Sequence, residues 1–193
     1  MKKKEISKEA TPKHKIVADE TYPFFYAYHD EAYIESHDKR SSVSLEESRM
    51  KYVLKNLSRK EIVVYKIDKE PKILNKHIES SIFYKIVGED LRKPGFEKCD
   101  YGIYTEDDVL YLIELKSPER RYLKGLNQIQ DTIDILIKRN KISVSKLNAR
   151  IVLTKYPGSA INADERKAEN LLIEKYKCDL KHGEKGFLTE ILS

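Results

Sequence analysis

Three polar residues of complementary charge stand at the ends of two apolar runs. The stretch from Lys98 to Pro118 reads K-C-D-Y-G-I-Y-T-E-D-D-V-L-Y-L-I-E-L-K-S-P. Its halves, Cys99 to Thr105 and Val109 to Ser117, are filled with Tyr, Ile, Val and Leu, which suit strands. Glu106-Asp107-Asp108 is the turn between them. A three-residue loop sets Thr105 against Val109, and counting back along both strands sets Asp100 against Glu114. Directly opposed residues on one face have Cβ atoms roughly 4.5–5.5 Å apart. Two carboxylates that close repel unless a cation lies between them, and Mg²⁺ takes carboxylate oxygens at roughly 2.0–2.1 Å. Side chains alternate with period two, so Lys116 shares the face of Glu114. An acid, an acid and a lysine thus converge from two strands. The same three residues also fit a plain ion pair, Glu114–Lys116 or Asp100–Lys116, at the rim of a sheet.

The second strand is apolar on both faces: Leu110 and Leu112 on the carboxylate side, Tyr111, Ile113 and Leu115 on the other. Such a strand is expected to be central and covered on both sides. A Glu and a Lys ending it are costly unless paired or metal-bound.

Asp100, thirteen intervening residues and then Glu114-Leu115-Lys116 resemble the PD-(D/E)XK nuclease superfamily, over roughly residues 73 to 156. Cys99 stands where the superfamily usually has Pro. The core Ile113-Glu114-Leu115-Lys116-Ser117-Pro118, followed by Gln128-Ile129-Gln130 on a helix, is most similar to the phage-type exonuclease branch. The resemblance implies an α/β fold, restriction-endonuclease-like, with a mixed central sheet flanked by helices and an N-terminal α/β elaboration. It implies a metal-dependent nuclease cutting phosphodiester bonds, in DNA in preference to RNA. Mg²⁺, with Mn²⁺ as substitute, would be held by Asp100, Glu114 and the backbone carbonyl of Leu115. Lys116 would hold or help deprotonate the attacking water and offset charge in the transition state. Glu79, on an expected helix before the hairpin, matches the acid that completes the metal site in the family; a solvated surface Glu is the other reading. The resemblance favours Gln128 as the glutamine near the metal, whereas the helical wheel places Gln130 beside the apolar face and Gln128 farther away.

Elements follow from periodicity. Residues 1–20 are Lys- and Glu-rich and are expected to form a tail. Tyr22, Phe24, Phe25, Tyr26, Tyr28 and Tyr33 cluster next and are read as a strand or cap on the core. Ser44-Leu45-Glu46-Glu47 has the capping-box pattern and predicts a helix to about Leu57, with Met50, Val53, Leu54 and Leu57 as its stripe. Glu61 to Asp68 reads as a strand. Ile73 to Val87 reads as a helix ended by Gly88. After the hairpin, Leu123 to Arg139 reads as a helix with Leu126, Ile129, Ile133 and Leu136 inward. Asn148 to Tyr156 reads as a buried strand. Asn162-Ala163-Asp164 caps a helix to about Tyr176, and Gly186 to Leu192 is a weak strand. The expected organisation is an elaboration over 21–72, a catalytic core over 73–161 and a C-terminal helix and strand over 162–193.

Composition sets outer bounds. The 193 residues can bury a sizeable core. Charged residues make up 36% and hydrophobic ones 40%, as in an α/β protein with a highly charged surface. The net charge of +5 suits a polyanionic partner. Arg120, Arg121 and Lys124 beside the hairpin are candidate phosphate contacts, or else a solvated helix start. Cys99 and Cys178 form no ligand cluster, so zinc is not expected, and a reducing cytoplasm is. No apolar run is long enough to span a membrane. The rival readings are a catalytically silent nuclease-fold module that binds nucleic acid or a protein partner, and a structural domain whose three polar residues form only an ion-pair network.

Overall fold

The computed structural model describes residues 22–23, 34–68, 72–74, 77–79, 97–116, 122–139, 142–155 and 157–192. In chain order the strands are β1 (Tyr22–Pro23), β2 (Ile34–Asp38), β3 (Ser42–Glu47), β4 (Met50–Lys55), β5 (Ile62–Lys66), β6 (Lys72–Leu74), β7 (His77–Glu79), β8 (Tyr101–Thr105) and β9 (Val109–Lys116). Helix α1 (Tyr122–Ile133) follows and continues as a π-helical segment, Asp134–Arg139. Then come β10 (Ile142–Ser143) and β11 (Lys146–Leu153), helix α2 (Ala163–Asn170) with its π-helical continuation Leu171–Lys175, β12 (Asp179–Gly183) and β13 (Phe187–Ile191).

The main sheet has six strands in the order β12-β11-β9-β8-β5-β2. β12, β11 and β9 run parallel, and β9, β8, β5 and β2 alternate in direction, so the sheet is mixed. β9 lies inside it, as its two apolar faces require. Leu110 and Leu112 join the core under α1 and α2, with Leu126, Ile129, Ile133 and Leu172. Tyr111, Ile113 and Leu115 join a second core with Val43, Leu45, Met50, Tyr52 and Leu54. That second core lies under a three-stranded sheet, β13-β4-β3. Among the described residues the helices therefore cover one face of the main sheet, and the other is covered by strands rather than by the helices expected on both sides.

Two expected helices are corrected. The segment 44–57 is the β3–β4 hairpin, in register Glu47↔Met50 to Ser42↔Lys55. Burial alternates with period two, Val43 and Leu45 on one strand, Met50, Tyr52 and Leu54 on the other. The tight turn is Ser48-Arg49, both at positive φ (46° and 74°), the conformation that follows strand twist in a two-residue loop. Neither residue is the Asn or Gly that such a loop favours, so the local signal was hidden and Ser44 was read as a cap. Leu57, assigned to the helix stripe, is exposed. Within 73–87 the described residues form the β6–β7 pair, Lys72↔Glu79 to Leu74↔His77, and not a helix; 80–96 lie outside the described residues, as do 1–21 and 24–33.

Five expected elements, β5, α1, β11, α2 and β13, are present among the described residues. β5, α1 and β11 fall where the apolar patterns put them. Asn162 caps α2, its side chain accepting from Glu165 N–H at 2.9 Å while Glu165 Oε2 accepts from Asn162 N–H at 3.0 Å. β12 carries no strong alternation and escaped the sequence reading, although it extends the parallel set of the sheet.

Candidate active site

β8 and β9 pair in the register Tyr101↔Ile113 through Tyr104↔Leu110. One further step sets Asp100 opposite Glu114, as the three-residue loop requires. Asp108 closes that loop at φ 60°, its N–H donating to Thr105 carbonyl at 3.0 Å. Asp100, just before β8, and Glu114, near the end of β9, are 3% and 0% exposed. Leu115 N–H donates to Asp100 Oδ2 at 2.7 Å, and Asp100 N–H donates to Glu114 Oε2 at 3.2 Å. The two carboxylates are thereby latched across the strand pair. Lys116 forms an ion pair with Glu114 Oε1.

Helix α1 closes the site from above. A Cβ on Gly125 would stand 3.4 Å from Glu114 Cγ, so the helix lies directly on the acid at a residue with no side chain. One turn on, Gln128 is buried and donates to Lys98 carbonyl at 2.7 Å. Thr132 Oγ1 accepts from Cys99 N–H at 2.9 Å and donates to Gln128 carbonyl at 2.7 Å. Asp100 carbonyl in turn accepts from Ile67 N–H at 2.9 Å. The approach to Asp100 is therefore fixed both from α1 and from Ile67, just after β5.

Burial of this kind disfavours charge. Desolvation, followed by repulsion from Asp100, pushes the Glu114 carboxyl up to about 8, against the pull of Lys116. Desolvation likewise raises Asp100 to about 6, opposed by its bond from Leu115 and aided by Glu47. Glu114 Oε1 is held by the Lys116 ammonium, whereas Gln128 Oε1 is a buried acceptor without a hydrogen-bond partner. Two hard carboxylates raised chiefly by desolvation, with the unpartnered Gln128 Oε1 on the helix above them, fit a divalent cation. Among the described residues no three His, Cys, Asp or Glu side chains gather as a ligand set. The pair supplies two ligands, which suits Mg²⁺, an ion that commonly keeps several waters.

The remaining candidates divide. Gln128, rather than Gln130, is on the site's side of α1; Gln130 donates instead to Ala168 carbonyl of α2 at 3.1 Å. Lys124 pairs with Glu97 at 3.2 Å. Glu79 lies on β7 opposite Lys72, not on a helix, and its side chain is outside the described residues. Arg120 and Arg121 are also outside them. Gly125 and Thr132 were missed by the sequence reading; a glycine within an amphipathic helical pattern was the available signal. Also missed was the knot beside the site. Tyr122 hydroxyl donates to Glu169 and lies 3.3 Å from His182 Nδ1, and Glu114, Ile151 and His182 form one cross-strand row.

Comparison with known protein families, with curated proteins and with solved structures yields no match.

Proposed function

We propose that this chain is a divalent-metal-dependent nuclease that hydrolyses phosphodiester bonds, in DNA in preference to RNA. The observation that carries the reading is the latched pair Asp100–Glu114, buried face to face with Lys116 on the same side. Asp100 and Glu114 would hold Mg²⁺, with the Leu115 carbonyl as a further ligand. When bound, the cation polarises the scissile phosphate and lowers the pKa of a coordinated water. Lys116 orients that water and offsets negative charge as attack proceeds. Gln128 and Thr132 hold the 98–100 segment so that Asp100 keeps its place. The choice of DNA rests on the resemblance to the PD-(D/E)XK superfamily.

The test pairs two variants. Glu114→Gln removes a ligand charge and should abolish both Mn²⁺ binding and cleavage. Lys116→Ala keeps both ligands and should retain much of the Mn²⁺ affinity while single-turnover cleavage falls by roughly 10²–10³-fold. Wild-type cleavage by Lys116→Ala would refute the role given to that lysine. A second reading is a nuclease-fold module without turnover, favoured by the complete burial of Glu114. It is distinguished by Mn²⁺ binding with no cleavage of any nucleic acid by the wild type.

A further inference from the structure

At the amino ends of β9 and β11, opposite to the acids, lies a groove of about 320 Å³. Ile137, Ile142, Val144 and Leu147 are among its apolar residues, and Lys138, Lys146, Lys175 and Lys177 stand around it. All four lysines are exposed. Lys138 Nζ lies 3.9 Å from Asp134 Oδ1. Lys146, Lys175 and Lys177 have no acidic partner among the described residues. Tyr176 lies between two of the lysines, with Lys138 Nζ 3.9 Å and Lys175 Nζ 5.1 Å from its ring centre. Helix carboxyl ends attract lysines, which accounts for Lys138 and Lys175 but not for Lys146, the first residue of a strand. The sequence from Lys138 to Lys146 adds Arg139 and Lys141 and holds no acid.

We infer that this groove is a second phosphate-gripping surface, which holds the backbone of a nucleic-acid strand away from the acid pair. The inference rests on the nuclease reading and names where its substrate is anchored. Like charges gathered together repel one another, and a polyanion lowers that cost while releasing its own counterions. Lys146 pairs with Val109, five residues before Glu114 on β9. At about 3.3 Å per residue the groove is about 17 Å from the acids along the strand. Stacked nucleotides rise about 3.4 Å each, so at least about five nucleotides separate the two sites.

The experiment measures binding of a fluorescent 30-nucleotide single-stranded DNA in EDTA as a function of salt. It compares wild type, Lys146→Gln/Lys175→Gln/Lys177→Gln, the same three positions changed to Arg, and Lys39→Gln/Lys51→Gln/Lys55→Gln as an equal loss of charge elsewhere. The groove Gln variant should flatten the slope of log affinity against log salt by about 2, the value for losing three phosphate contacts on a single strand. The Arg variant should keep the wild-type slope, and the control should change it little. Equal slopes for groove and control Gln variants, or no recovery with Arg, overturn the groove while leaving the nuclease reading standing. A wild type that does not bind the DNA at all overturns both.

Discussion

At the scale of the residue, the site is a place where ionisation and burial oppose each other. Asp100 and Glu114 ordinarily titrate near about 4, and in the fold both are raised, to about 6 and about 8, chiefly by desolvation. Between about pH 4 and pH 8 the folded, metal-free protein therefore binds protons that the unfolded chain has released. Stability then falls as pH rises through that window and levels above it. The expected result is a melting temperature in EDTA that declines from pH 5 to pH 8, with the decline between pH 6 and pH 8 largely gone in Glu114→Gln. Saturating Mn²⁺ should stabilise the wild type more as pH rises, because protons compete less for the ligands. A wild-type curve parallel to that of Glu114→Gln across the window would show that Glu114 is not held in a charge-averse setting. Asp100, Glu114 and Lys116 were legible in the sequence because they depend only on hairpin register, which loop length and period two decide. The placement of Gln128 was not legible in periodicity, though the resemblance favoured it, because the helical wheel describes α1 alone, whereas the burial of Gln128 depends on the segment 98–99 beneath it.

At the scale of the element, α1 matters through a side chain it lacks. Glycine inside a helix costs about 0.5–1 kcal/mol relative to alanine, and Gly125 gives the close seat on Glu114 and Ile151 in return. An added Cβ would meet Glu114 Cγ at 3.4 Å and Ile151 Cγ2 at 3.5 Å, the near edge of ordinary contact. Gly125→Ala is thus expected to fold, with stability unchanged or raised by up to about 1 kcal/mol. Gly125→Leu carries a branched chain with no room and should lift the helix, destabilising the protein by at least the roughly 1–3 kcal/mol of overpacking and weakening Mn²⁺ binding. Thermal melts and Mn²⁺ titrations of both variants check this; a Leu variant as stable as Ala would mean that α1 does not press on the acid. The same scale explains which elements the sequence concealed. α1 and α2 carry strong apolar periodicity or a capping box and were legible. The β3–β4 hairpin was read as a helix because Met50, Val53, Leu54 and Leu57 match helical spacing as well as Met50, Tyr52 and Leu54 match a strand. Packing against Ile62, Val64 and Ile113 decides between them, and that information is not local.

At the scale of the whole molecule, two sheets are held together across an interface that contains a charge. Arg150 of β11 is 1% exposed and points to the face opposite Ile151, away from the acids. Its Nε donates to Glu190 of β13 at 2.5 Å, and its Nη2 donates to Asp179 of β12 at 3.1 Å. Tyr52 hydroxyl of β4 donates to Glu190 at 2.6 Å, and Lys181 reaches the other Glu190 oxygen at 3.1 Å. Burial alone would raise the Glu190 carboxyl, yet the bond and charge of Arg150, with Tyr52 and Lys181, hold it below its ordinary range. Truncating one partner leaves the other buried and uncompensated, which costs about 3–5 kcal/mol, whereas replacing both with apolar groups is often close to neutral. Arg150→Met should therefore lower the stability seen in urea denaturation by about that amount. Arg150→Met/Glu190→Leu should be more stable than Arg150→Met, short of wild type because Tyr52 hydroxyl loses its acceptor. Where Arg150→Met is folded, its Mn²⁺ affinity should equal that of the wild type, since Glu114 and Lys116 lie on the other face of the sheet. A double variant less stable than the single would mean that the pair itself binds the layers. A loss of Mn²⁺ affinity in folded Arg150→Met would mean that the two faces of β11 are coupled, and that the site depends on the sheet beneath it as well as on the helix above.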